Sequence, residues 1–130
     1  MKTLAFAAVL LAAAPALAEP FTLMIWETPE DIALRTDTSA AGRAYWDGYM
    51  AFAEEAGAAG VLRGGSALMT DAAGIVTVGA VAATTAPLVL GGYFQIEVPD
   101  IAAAKGWAAK LPAATFGAFA IHPGYPAPGM

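Results

Sequence analysis

The sequence predicts an α+β fold in the ferredoxin-like βαββαβ order, with two helices roofing one face of a single sheet. Three observations carry this. Gly91–Val98 reads as a half-buried strand that passes at once into a capped helix. Ser39–Ala59 carries aromatic residues at helical spacing. Short segments of alternating polarity flank both.

Residues 1–18 stand apart from this domain. Met1-Lys2 is a short positive start, Leu4–Ala14 is an apolar run, and Ala16-Leu17-Ala18 is a small-x-small site before Glu19-Pro20. That layout predicts a signal peptide cut after Ala18 and a secreted, periplasmic protein. The domain is then 19–122.

Phe21–Glu27 is the first strand, with Phe21, Leu23 and Ile25 on one face and Thr22, Met24 and Trp26 on the other. Thr28–Thr38 is polar and reads as a solvated loop with a short helical turn around Pro29–Leu34. In the helix that follows, Tyr45, Tyr49, Phe52 and Ala56 form one buried stripe, widened by Trp46 and Met50. Arg43 and Asp47 are placed to pair across one turn. Gly60 is the expected left-handed stop.

Val61–Met69 is the next strand, and its Gly64-Gly65 step marks a bulge or a close backbone approach. A turn over Thr70–Gly74, a weak strand over Ile75–Ala82 and a loop around Pro87 lead to the central strand. There Phe94, Ile96 and Val98 share an apolar face, and Tyr93, Gln95 and Glu97 share the other. Asp100 is a natural N-cap. Ile101, Ala104, Ala108 and Leu111 make the second buried stripe, and Pro112 ends that helix. Thr115–His122 is the last strand, with Phe119 and Ile121 on one face. Residues 123–130 hold three prolines and two glycines and read as a disordered tail.

Composition narrows the function. The chain has a net charge of −5 and only six Lys and Arg residues, too few for a nucleic-acid surface. It has no cysteine, so disulfides, thiolate metal sites and cysteine nucleophiles are excluded. A single histidine rules out a multi-histidine zinc site within one chain. No motif calls for a cofactor or a metal. No stretch after the amino-terminal segment suits a membrane span. The second sheet face would expose Met24, Trp26 and Tyr93, and a second copy of the chain is the economical cover, which predicts a homodimer.

The candidate site residues come from that second face. Tyr93, Gln95 and Glu97, with Trp26 and Arg63 from neighbouring strands, would line a cavity for a small-molecule ligand or the polar part of a dimer interface. His122 could act as a general base or a proton switch, with Tyr93 and Glu97 as its companions. The plainer reading of His122 is a polar residue closing a strand. Glu54-Glu55 and Glu30-Asp31 have no metal-loop spacing and read as solvated surface.

Four segments in order resemble the YCII-related family, in its DGPF branch. They are Phe21–Glu27, the run from Tyr49-Met50-Ala51-Phe52 through Gly64-Gly65 to Ala67-Leu68, Gly91–Val98, and Ala102–Leu111 with the last strand. The resemblance implies a dimeric α/β barrel built from ferredoxin-like subunits. The branch's Thr-Asp-Gly-Pro-Phe motif stands here as Thr84-Thr85-Ala86-Pro87-Leu88, without its acid. The family's proposed His–Asp pair has its histidine on the first helix, and that place falls near Tyr49, which joins the candidate ligand residues. The resemblance thus implies fold and dimerisation, and its departures weigh against enzymatic activity. Three functions stay open: a small-molecule-binding or non-catalytic barrel, a cofactor-independent enzyme using acid–base chemistry on a small organic molecule, and a protein-interaction module.

Overall fold

The computed structural model describes residues 17–71, 75 and 88–125. The whole amino-terminal apolar run Leu4–Ala14, nearly all of the expected Ile75–Ala82 strand, the stretch Thr84-Thr85-Ala86-Pro87 and residues 126–130 of the expected tail lie outside those residues.

Among the described residues, four strands form one antiparallel sheet: β1 (Glu19–Glu27), β2 (Leu62–Ala67), β3 (Val89–Val98) and β4 (Ala118–Pro123), in the order β2-β3-β1-β4. Helix α1 (Pro29–Ala33), a 3-10 turn (Leu34–Thr36) and α2 (Ala40–Ala58) connect β1 to β2. Helices α3 (Ile101–Ala108) and α4 (Ala113–Phe116) connect β3 to β4. Each helical crossover steps over one strand, so the chain is a mixed α+β unit compatible with a small ferredoxin-like fold.

Pleating explains which side the helices take. Phe21, Leu23 and Ile25 of β1 and Ile96 and Val98 of β3 are buried, and they meet Phe52 and Ala56 of α2 and Ala104 and Ala108 of α3. Full burial of a side chain such as Leu23 contributes about 1.5–3 kcal/mol. Phe52 is the hub: its ring lies 4.7 Å from Phe94 and 6.2 Å, edge to face, from Trp107.

The helix ends follow the predicted chemistry. Ser39 accepts from the Ala41 N–H at 3.2 Å and Asp100 from the Ala103 N–H at 2.8 Å. Gly60 takes φ +72° and lets the chain leave α2. The bulge expected at Gly64-Gly65 is present one step earlier, with Leu62 opposite Ile96 and Gly64 opposite Gln95, so Arg63 is the extra residue. A second bulge was not anticipated: Ile25 pairs with Gly92 and Trp26 with Leu90, leaving Gly91 over.

Several expectations are corrected. The helical turn expected around Pro29–Leu34 is present and reaches Thr36, so less of the polar segment after β1 is loop than expected. Thr28 caps α1 by accepting from the Asp31 N–H at 3.2 Å, and Pro29, Glu30 and Asp31 fill a first turn that favours proline and acids. Helix α3 ends at Ala108, although Leu111 beyond it is still buried. Ile101 is 43% exposed and does not belong to the buried stripe. Residues 113–116 are a helical turn, so the last strand starts at Ala118. Pro123 is part of β4, opposite Phe21, and the Gly124 N–H donates to the Pro20 carbonyl at 2.9 Å, so the order of the chain outlasts the predicted boundary at 122. Proline is tolerated there because β4 is the sheet's last strand among the described residues. Arg43 turns away from Asp47 and donates to the Thr38 carbonyl at 2.8 Å. No described helix is long and apolar enough to cross a membrane.

Candidate functional site

The site is built around Glu27. Strand alternation puts this residue on the same side as Phe21, Leu23 and Ile25, and it is 1% exposed. A carboxylate taken out of water needs partners, since an unpaired buried charge costs several kcal/mol. Two side chains supply them. Arg35, on the 3-10 turn, donates from Nη2 to Oε2 at 2.9 Å, and Tyr49, on α2, donates its hydroxyl to Oε1 at 2.8 Å.

Arg35 ties further segments to the same point. Its Nε donates to the Tyr45 hydroxyl oxygen at 3.0 Å, Nη1 to the Leu68 carbonyl at 2.7 Å and Nη2 to the Gly91 carbonyl at 2.7 Å. The planar guanidinium suits this fan of acceptors. The end of β1, the 3-10 turn, α2, the segment after β2 and the β3 bulge therefore meet at one side chain. Gly91 leaves the space for this: a Cβ built there would run into the Glu27 carboxylate and the Arg35 guanidinium. The bulge that looks like an irregularity of β3 is what points its carbonyl at Arg35.

The electrostatics follow from burial and pairing. Burial alone would lower the Arg35 pKa, but the hydrogen bond from Nε to Tyr45 and the contact with Glu27 raise it on balance. Tyr45 is pushed up to about 12, first by burial and then by Glu27, with Arg35 opposing. Tyr49 is raised further, again first by burial and then by its hydrogen bond to Glu27. Both phenols are therefore neutral at physiological pH. No buried side-chain nitrogen or oxygen among the described residues lacks a partner.

Beside this network lies a cavity of about 210 Å³ between α2 and the sheet. Glu27, Arg35, Tyr45 and Tyr49 form its polar part, and Ile25, Met50, Ala53 and Phe94 are among its apolar walls. Trp46 and Met50 border it and are 38% and 67% exposed, so it opens to solvent on their side. The Trp46 indole N–H donates to the Arg35 carbonyl at 3.2 Å, which sets the ring in place. Tyr45 stands edge-on to both Trp46 and Tyr49, with centroids 5.1 and 5.2 Å apart.

Of the site residues expected from sequence, only Tyr49 joins this network, and Tyr93 touches the cavity from β3. Trp26, Gln95, Glu97 and His122 belong to the opposite sheet face. There Thr22 lies between Gln95 and His122, Met24 is opposite Tyr93, and Pro20 is opposite Glu97. Tyr93 and Glu97 are four residues apart on one strand, about 13 Å at a rise of ~3.3 Å per residue. His122 is exposed, two strands away. The expected acid–base companions do not converge. Arg63 holds Glu97 at 3.1 Å and also donates to the Gly60 and Leu62 carbonyls. No group of three or more His, Asp or Glu side chains among the described residues is placed to hold a metal ion.

Glu27, Arg35 and Tyr45 were not among the expected site residues. The period-two rule that assigned Phe21, Leu23 and Ile25 to the core also assigns Glu27 to it, so the signal was there. Tyr45 was legible only as core. Arg35 gave no signal, because a turn residue has no periodicity to read. In comparison with known proteins, no family model matches the chain and no curated protein matches it.

Proposed function

We propose that this protein binds a small molecule in the cavity between α2 and the sheet and performs no chemistry on it. The carrying observation is the combination of a preformed apolar cavity with a polar end in which every buried side-chain nitrogen and oxygen already has a protein partner. A catalytic site needs a group that exchanges a proton near neutral pH, whereas Tyr45 and Tyr49 are phenols made weaker acids by burial, and both Glu27 oxygens already accept a hydrogen bond from the protein.

The test is chemical-shift mapping of a fragment library on the ¹⁵N-labelled protein. The expected result is a set of fragments that move the Trp46 indole resonance and the α2 amides around Met50 and Ala53. Shifts confined to Gln95, Glu97 and His122 would place binding on the other sheet face, and no shifts at all would end the reading.

The same proposal keeps the homodimer, the dimeric α/β barrel and the YCII-related kinship. The dimer and the barrel are supported by the strand order and by Met24 and Trp26 facing away from the helices, and the kinship by the four segments of the sequence alone. Sedimentation of the protein alone tests the dimer, with Met24→Glu expected to yield monomer. Export is supported by the apolar amino-terminal run and by a strand that opens at Glu19, directly after the proposed cleavage site. Mass spectrometry of the mature amino terminus should find Glu19.

A further inference from the structure

We infer that the ligand of this cavity is an uncharged aromatic molecule of one or two rings carrying at most one hydrogen-bond acceptor. The inference rests on the cavity being the binding site.

Size comes first. A cavity of about 210 Å³ exceeds the ~150 Å³ of an apolar protein cavity known to take up benzene. It has room for a ring system with a small substituent, not for a peptide or nucleotide.

Charge comes next. The site holds one carboxylate and one guanidinium at 2.9 Å, so their charges offset each other. An anion would approach the buried Glu27 and a cation would approach Arg35, and either would be desolvated without an unmatched partner. Donors and acceptors are nearly used up as well. Oε1 and Oε2 of Glu27 each accept a bond, and four of the five Arg35 N–H groups can be assigned to Tyr45, Leu68, Glu27 and Gly91. One guanidinium N–H is left for a single acceptor on the ligand. The walls supply the rest: the rings of Tyr45, Trp46, Tyr49 and Phe94 around aliphatic Ile25 and Ala53 favour another aromatic ring. The exposed Trp46 and Met50 at the opening would lose water when such a ring enters.

The experiment titrates the full chain with anisole, benzoate and benzylammonium, read by saturable shift of the Trp46 indole resonance. Anisole should bind at least about tenfold more tightly than either charged ligand. Equal or tighter binding of benzoate or benzylammonium at the same resonance would overturn the ligand class while leaving the cavity as the binding site. Failure of all three would overturn both. Two variants locate the binding. Ala53→Phe fills the cavity, and Met50→Trp narrows its opening at an exposed position that folding tolerates. Each folded variant should lose anisole binding at least about tenfold, and unchanged binding in Met50→Trp, with or without a folded Ala53→Phe, would overturn the assignment.

Discussion

Two arginine–glutamate pairs lie on opposite sides of this one sheet, and they differ in almost everything except distance. Arg35 and Glu27 are 2.9 Å apart with side chains 15% and 1% exposed, whereas Arg63 and Glu97 are 3.1 Å apart at 48% and 39%. The first pair sits under α2 with every carboxylate oxygen engaged, and the second is washed by solvent at the edge of the open face. The lesson is that contact distance does not measure what an ion pair is worth. Water already solvates the outer pair, so breaking it changes little, while the inner pair has only its protein partners.

The largest expected effect comes from breaking the inner pair. Arg35→Leu leaves Glu27 buried without its cation and should cost about 3–5 kcal/mol of unfolding free energy in urea denaturation. Replacing both residues together, Arg35→Leu with Glu27→Leu, should recover a large part of that loss. If the single substitution cost less than about 1 kcal/mol, the contrast between the two pairs would collapse.

Gly91→Ala tests the space around the inner pair. The added methyl meets the Glu27 carboxylate and the Arg35 guanidinium, so the network must shift, at a cost of about 1–3 kcal/mol. Gly57, where an added Cβ meets nothing within 4 Å, is the control, and Gly57→Ala in α2 should be neutral or stabilising.

The alkaline limb of the stability curve probes the phenols. Tyr45 has its folded pKa raised from 10.0 to about 12, so the folded state holds a proton that the unfolded state releases. The stabilisation is therefore complete below pH 10 and is lost as pH rises through about 12. Tyr49, raised in the same direction, deepens the loss. Thermal melts between these pH values should show Tyr45→Phe and Tyr49→Phe with a shallower decline than the parent protein. Equal slopes would mean that burial and the Glu27 carboxylate together do not hold these phenols protonated in the folded state.

The smallest effect belongs to the outer pair. Arg63→Gln or Glu97→Gln should change stability by less than about 1 kcal/mol, and even that difference should fade in high salt. A loss as large as that of Arg35→Leu would mean the open face is covered in solution, which is what a dimer would do.

Much of the fold was legible along the chain. The period-two faces of β1 and β3, the Tyr45–Phe52–Ala56 stripe of α2, and the Asp100 and Ser39 caps are local patterns, and the structure keeps them, but Trp46 and Met50, expected to widen the α2 stripe, are exposed. Boundaries failed where local signals conflicted. The segment after β1 read mainly as solvated loop, with no more than a helical turn around Pro29–Leu34, because polarity outweighed the capping chemistry of Thr28 and Pro29. Thr115 and Phe116 read as the start of the last strand because threonine and phenylalanine in an apolar run suit either state. The site was legible only in part. Tyr49 was named for a family position, Glu27 was passed over at the end of its strand, and Trp26, Arg63, Gln95, Glu97 and His122 lie on the face away from the described cavity.

The sequence by itself determined which side of each strand and helix is apolar, because side-chain periodicity is a property of neighbouring residues. It also determined the absence of cysteine chemistry and the acidic balance of the chain. Period-two alternation puts Glu27 on the core side of β1, but only the tertiary structure decided that a carboxylate could stay buried there. Glu27 becomes affordable there through Arg35, Tyr49 and the Gly91 bulge, which lie 8, 22 and 64 positions away in the chain. Contacts of that kind depend on how three elements close around one point, and no local pattern encodes that closure.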